Sequence, residues 1–177
     1  MSVETEYLRV MQERFAILKE QGEKTFAQLE EEDFHWTLHH ASNSIAIIIQ
    51  HMSGNMISRW TDFLTSDGEK SDRNREGEFL DHRLSREELM VRWDRGWKTF
   101  FETVRSLGPK DLLKPVRIRG EQHSVLDAIE RQLAHYATHI GQILFIGKQI
   151  KGDDWKSLSI PKGESAAYLK RMQEENK

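Results

Sequence analysis

Cysteine is absent from all 177 residues, which excludes a disulfide framework, a thiolate metal ligand and a cysteine nucleophile together. Any metal must then be held by histidine, carboxylate or water, and any thiol chemistry needs a thiol from outside. Proline is nearly as scarce, with three residues, and glycine contributes eleven; so few breaks favour long helices. Long apolar runs are missing too. No stretch approaches the roughly 18 consecutive apolar residues of a membrane span, and the opening Met1-Ser-Val-Glu-Thr-Glu lacks the basic and apolar parts of a signal peptide. A cytoplasmic protein with no membrane partner is expected. An excess of one charge is also lacking: 26 basic and 29 acidic residues leave a formal net charge of −3. Even the Arg73–Arg75 neighbourhood is ringed by Glu69, Asp72, Glu76 and Glu78. That leaves no electrostatic footprint for nucleic acid. Neither a glycine-rich phosphate loop nor a Gly-x-Ser-x-Gly elbow occurs, so nucleotide hydrolysis and serine-esterase chemistry find no support.

What remains is 37% hydrophobic and 31% charged sequence, the make-up of a single globular domain over residues 1–177. Its apolar residues recur at helical period in four segments. The first, about residues 4–30, carries Leu8, Met11, Phe15, Leu18 and Leu29 on one stripe. The second, about residues 44–64, has Ser42 or Asn43 as N-cap. The third opens on Ser85-Arg-Glu-Glu88, a capping-box pattern, and runs to about Leu107 before Gly108-Pro109 ends it. Its stripe is Leu89, Trp93, Trp97, Phe100 and Val104. The fourth is capped near Ser124 and continues to about Ile150. The fold class is therefore all-α, a four-helix bundle, with Val116-Arg-Ile-Arg119 at most a short strand or hairpin. A long polar connection, Thr65–Leu84, joins helices two and three, and such loops often carry binding residues. The tail beyond Gly152, with Trp155, Leu158 and Ile160, is expected to pack over one bundle end. Trp60, Trp93 and Trp97 lie at core spacing and read as packing anchors.

The chemistry sits in a stripe of histidines. His135-Tyr-Ala-Thr-His139 places two imidazoles on one helix face a turn apart, a spacing that suits two neighbouring ligands on one ion. His51 on the second helix shares a face with Asn55, Ser58 and Asp62, beside the apolar stripe of Ile45, Ile48, Met52 and Met56. A metal satisfies one ring nitrogen of each histidine. Partners for the other nitrogens are expected among Asn55, Ser58, Asp62, Gln132 and Gln142. The alternative is a set of core histidines satisfied by neighbouring polar groups. His35, His39 and His40 fall at odd spacing in a linker and read as solvated; His82 and His123 receive no role.

These residues resemble the DinB/YfiT-like superfamily of bacterial four-helix bundles. The segments that carry the resemblance are Asn43-Ser-Ile-Ala-Ile-Ile-Ile-Gln-His51, Gly54-Asn55, Arg59-Trp60-Thr-Asp62-Phe, Asp67-Gly-Glu-Lys and Arg73-Asn-Arg75. His135-Tyr-Ala-Thr-His139-Ile-Gly-Gln142-Ile and Leu158-Ser-Ile-Pro-Lys-Gly163 extend it over most of the chain. The resemblance implies an up-down-down-up order with the long crossover between helices two and three, and a homodimer. It also implies one divalent metal on His51, His135 and His139. Some members transfer a low-molecular-weight thiol with the metal activating it; others are regarded as metal-dependent hydrolases. The resemblance carries over no catalytic base. Arg73 and Arg75 are candidates to bind an anionic substrate or the carboxylate of a thiol cofactor through bidentate contacts; the alternative is a solvated, salt-bridged loop. The expected function is thus a metal-dependent enzyme with a small-molecule substrate, using water or an external thiol. Zinc, nickel and iron(II) all suit the ligands. The alternative is a non-catalytic metal or small-ligand binding module.

Overall fold

A computed structural model describes residues 2–175. Helix α1 spans Val3–Phe26, α2 Ile45–Trp60, α3 Arg86–Ser106 and α4 Val125–Lys151. Serine starts all four: the side chains of Ser2, Ser44, Ser85 and Ser124 accept hydrogen bonds from Thr5, Ile47, Glu88 and Asp127 backbone N–H groups. At α3 the box is complete, because Glu88 reaches back to the Ser85 N–H.

Two helices stop short of the period-based expectation, for visible reasons. The Arg86 guanidinium takes the Phe26 and Leu29 carbonyls at 3.0 and 2.9 Å, ending α1 at its last exposed acceptors. Trp60 gives its carbonyl to the Thr103 hydroxyl at 2.8 Å, and Asp62 turns into the left-handed region at φ 50°. A further helix, α5 at Ser165–Glu175, buries none of its residues. It was not foreseen; of the tail, Trp155 lies against Gly147, while Ile160 is exposed.

Pro115–Ile118 (β1) and Glu121–Ser124 (β2) pair antiparallel as a hairpin. Arg119 and Gly120 turn it with φ of 56° and 78°, the two positive angles a type I′ turn requires. Val116 and Ile118 point into the core. Asp67 ties the hairpin to the crossover, its carboxylate accepting the N–H groups of Arg119 and Gly120.

One apolar cluster joins α1–α4 and the hairpin. Its centre is aromatic: Phe15, Trp60, Trp93, Trp97, Phe100 and Tyr136 are all at most 2% exposed and meet mostly edge to face. The tryptophans anchor packing, as their spacing suggests. Among the described residues no helix is long and apolar enough to cross a membrane.

Candidate metal centre

The α2–α4 seam brings three imidazoles together. His51 comes from α2, where its face is buried, and His135 and His139 come from successive turns of α4. Their ligand nitrogens all lie within 4.8 Å of one another. The His135 Nε2 sits 3.3 Å from that of His51 and 3.0 Å from that of His139.

The opposite nitrogens explain why the Nε2 atoms converge. His51 Nδ1 lies 3.0 Å from a Glu78 carboxylate oxygen, His139 Nδ1 is 2.9 Å from the Gln142 Oε1, and His135 Nδ1 is 3.4 Å from the Gln132 Oε1. Carboxylate and amide oxygens accept, so each Nδ1 carries its ring's proton and each Nε2 turns a lone pair inward. Three facing lone pairs with no proton between them repel; a cation resolves that. The donor set fits one. Imidazole nitrogens at about 2.0–2.1 Å from a single ion stand about 2.8–3.0 Å apart on an octahedral edge and about 3.3–3.4 Å apart on a tetrahedral one.

The electrostatics point the same way. Burial, reinforced by the charges His139, His51, Arg59 and Arg73 would present, pushes His135 down to about 3. Burial also lowers His139, against the pull of its Gln142 bond. Both shifts favour the neutral ring that a ligand must be.

Glu78 is the residue that period analysis missed. It arrives on a single 3₁₀ turn, Glu76–Phe79, inside the crossover. Its carboxylate accepts from Arg73 through both Nε and Nη2, each at 2.7 Å, while facing His51. Those bonds outweigh its burial and hold Glu78 below the usual carboxylate range. The neighbouring Phe79 ring lies 4.7 Å from the His51 ring. Space for the carboxylate exists because residue 54 has no side chain: a Cβ there would meet the Glu78 Cδ at 2.7 Å. A glycine inside α2, three residues past His51, was the available sequence signal.

The remaining candidates distribute as follows. Gln132 and Gln142 do hold ring nitrogens. Asn55 instead accepts from the Tyr136 hydroxyl at 3.2 Å, and Ser58 bonds Gly68 and Lys70 backbone groups. Asp62 lies exposed beyond the end of α2. Arg73 is buried, its side chain 4% exposed, and is engaged by Glu78 and Glu69. Arg75 is exposed, beside Glu76 and over the Phe79 ring at 5.2 Å. His35 is not solvated: it bonds Asp81 at 2.9 Å and the Leu84 carbonyl at 3.0 Å, pinning the linker to the crossover. His39 and His40 are exposed, their rings tilted against each other at 4.0 Å.

A cavity of about 520 Å³ adjoins the centre, between the 36–43 linker and α4. Trp36, Leu38, Phe145, Asn43 and Gln149 line it, as does Gln142, the partner of His139.

A family model described as a protein of unknown function, DUF1572, matches residues 2–164, and the chain belongs to that family. No curated protein and no solved structure matches it.

Proposed function

We propose that this DUF1572 chain is a metal-dependent enzyme acting on a small molecule, with one divalent ion held by His51, His135 and His139. The observation that carries the reading is the convergence of three Nε2 atoms, each on a ring whose Nδ1 faces a fixed acceptor. Three protein ligands leave positions for water or substrate, the pattern of a catalytic site and not of a closed structural one. When bound, such an ion lowers the pKa of a water or an external low-molecular-weight thiol and so supplies a nucleophile near neutral pH.

The chain's own residues supply the frame. Glu78 fixes the His51 tautomer and is itself held by Arg73. Gln142 orients His139 and reaches into the cavity, whose Trp36, Leu38 and Phe145 walls suit the apolar part of a substrate.

The contacts between helices support membership of the DinB/YfiT-like superfamily and its up-down-down-up order. Along α2 and α3, Ser53 meets Arg92 and Trp60 meets Thr103, advancing together. Along α1 and α4, Tyr7 meets Leu126 and Gly22 meets Ile140, also advancing together. Between α1 and α3 the order reverses, from Phe26 at Trp93 to Phe15 at Phe100. Exposed Ile17, Val91 and Phe145 favour self-association, and a homodimer belongs to the same reading. Sedimentation that finds only a 20.8 kDa species at micromolar concentration counts against it.

The test is metal analysis followed by two activity screens on zinc-, nickel- and iron-loaded protein. One screen offers hydrolysable esters and amides; the other offers a thiol with an electrophile. The expected result is one equivalent of ion, and turnover in one screen that a chelator and His135→Ala both abolish. One bound ion with no turnover in either points to a binding module, and a protein that never holds an ion overturns the metal centre itself.

A further inference from the structure

Arg59 sits on α2, two turns beyond His51, and is 2% exposed. A side chain on a helix leans toward the N-terminus, so this one leans back toward the histidine end. Its Nε and Nη1 are sealed from solvent without an acceptor, and among the described residues its guanidinium makes neither hydrogen bond nor ion pair. A guanidinium offers five N–H donors and does not give up its charge. Burying it with nothing opposite is among the more unfavourable arrangements a fold can hold.

The neighbouring carboxylates Glu69 and Asp67 attract Arg59 through space, but neither bonds it. Glu69 is engaged by Arg73 and Arg119. Asp67 accepts the backbone N–H groups of Glu69, Arg119 and Gly120. Tyr136 and Glu69 favour its charge from a distance while Arg131 and Arg119 oppose it, and Arg59 in turn acts on Lys70 and His135. The turn over it is closely fitted: a Cβ on Gly68 would meet the Arg59 Cδ at 2.7 Å, so the loop is shaped around the side chain.

We propose that Arg59 is a binding residue for a small carboxylate, seated in the seam of α2, α4 and the 66–70 turn on the side of the histidine cluster. This goes beyond the metal reading and does not depend on it. A planar carboxylate matches the guanidinium edge by two parallel N–H···O bonds, and the surrounding positive charge adds to its retention.

The probe is sodium formate, titrated against sodium gluconate at equal ionic strength, with thermal unfolding as the readout. Apo protein in chelator and zinc-loaded protein are both titrated. Formate is expected to raise the melting temperature saturably, by roughly 5 °C or more at about a hundredfold excess over Kd. A midpoint equal in the two preparations marks a site for the free anion. One that the metal tightens marks the carboxylate of a metal-bound ligand. Arg59→Met is expected to lose the shift. Should that variant fail to fold, Arg59→Lys is expected to move the formate midpoint at least tenfold, because it lacks the planar fork. A parent protein indifferent to formate overturns the proposal. So does an Arg59 variant that responds as the parent does.

Discussion

Replacing Glu78 with alanine tests the inner structure of the site most directly. The carboxylate holds His51 at 3.0 Å and Arg73 by two bonds of 2.7 Å, and its side chain is 10% exposed. Truncation leaves Arg73, 4% exposed, with only the 3.2 Å contact to Glu69. It also leaves the His51 Nδ1–H without an acceptor. Breaking one side of a buried pair costs about 3–5 kcal/mol; the surviving Glu69 contact argues for the lower end. For a domain of this size, about 3 kcal/mol lowers the melting temperature by roughly 6–12 °C. Removing the partner of a ligating imidazole weakens metal binding about 10- to 100-fold. Zinc competition against a chromophoric chelator and thermal unfolding in chelator read the two effects separately. Glu78→Gln separates them further: an amide oxygen still accepts from His51, so affinity falls only several-fold, while Arg73 is left with Glu69 alone for countercharge, as before. A Glu78→Ala protein with parental zinc affinity and a melting temperature within a degree of the parent refutes the reasoning.

His135→Ala and His139→Ala are each expected to abolish stoichiometric metal by elemental analysis while leaving parental helicity, because the aromatic core persists; His39→Ala should change nothing, and full occupancy in His135→Ala sinks the assignment. Gly54→Ala drives a methyl into a carboxylate that Arg73 holds in place, an overpacking worth about 1–3 kcal/mol, and should weaken zinc binding as well; parental stability and affinity together count against it. The apo protein should lose stability in acid. The folded pKa of His135, about 3, lies below the ordinary value of about 6.5, so the unfolded chain binds more protons between those limits. Stability present above about pH 6.5 therefore declines as pH falls toward 3. Urea midpoints in chelator at pH 7.5, 5.5 and 4.5 measure it, and His135→Ala should flatten the slope.

The parts of this structure written in periodic sequence were legible. The caps at Ser85 and Ser124, the tryptophan core and the histidine face were readable in the sequence pattern, whereas α2 is capped by Ser44 and not by Ser42 or Asn43; Gln132 and Gln142 stand three residues before His135 and three after His139. What the period does not encode is which loop residue folds back on a helix. Asn55 and Ser58 share the His51 face, yet Tyr136 and the 66–70 turn claim them. Glu78, from a crossover with no repeating pattern, takes the place expected for them. Helix ends failed for a related reason: Arg86, 60 residues further along the chain, donates to the α1 carbonyl of Phe26.

Arg73 and Arg59 show why burial alone does not assign a role to a charge. Both are buried guanidinium groups, and both weigh on His135. Arg73 is fully answered from within the chain: Glu78 and Glu69 neutralise it, and the His51–Glu78–Arg73 line joins the crossover to α2. A group so satisfied gains nothing from a ligand, and its removal is felt as lost order in the site. Arg59 has no such answer. Gly68, Arg131, Arg119 and Lys70 neighbour it, and the carboxylates that attract it, Glu69 and Asp67, bond other donors. The carboxylate site proposed above would relieve that arrangement. The bidentate carboxylate binding that the sequence suggests for Arg73 is, in the folded protein, made to Glu78. The guanidinium that no acceptor among the described residues engages is Arg59.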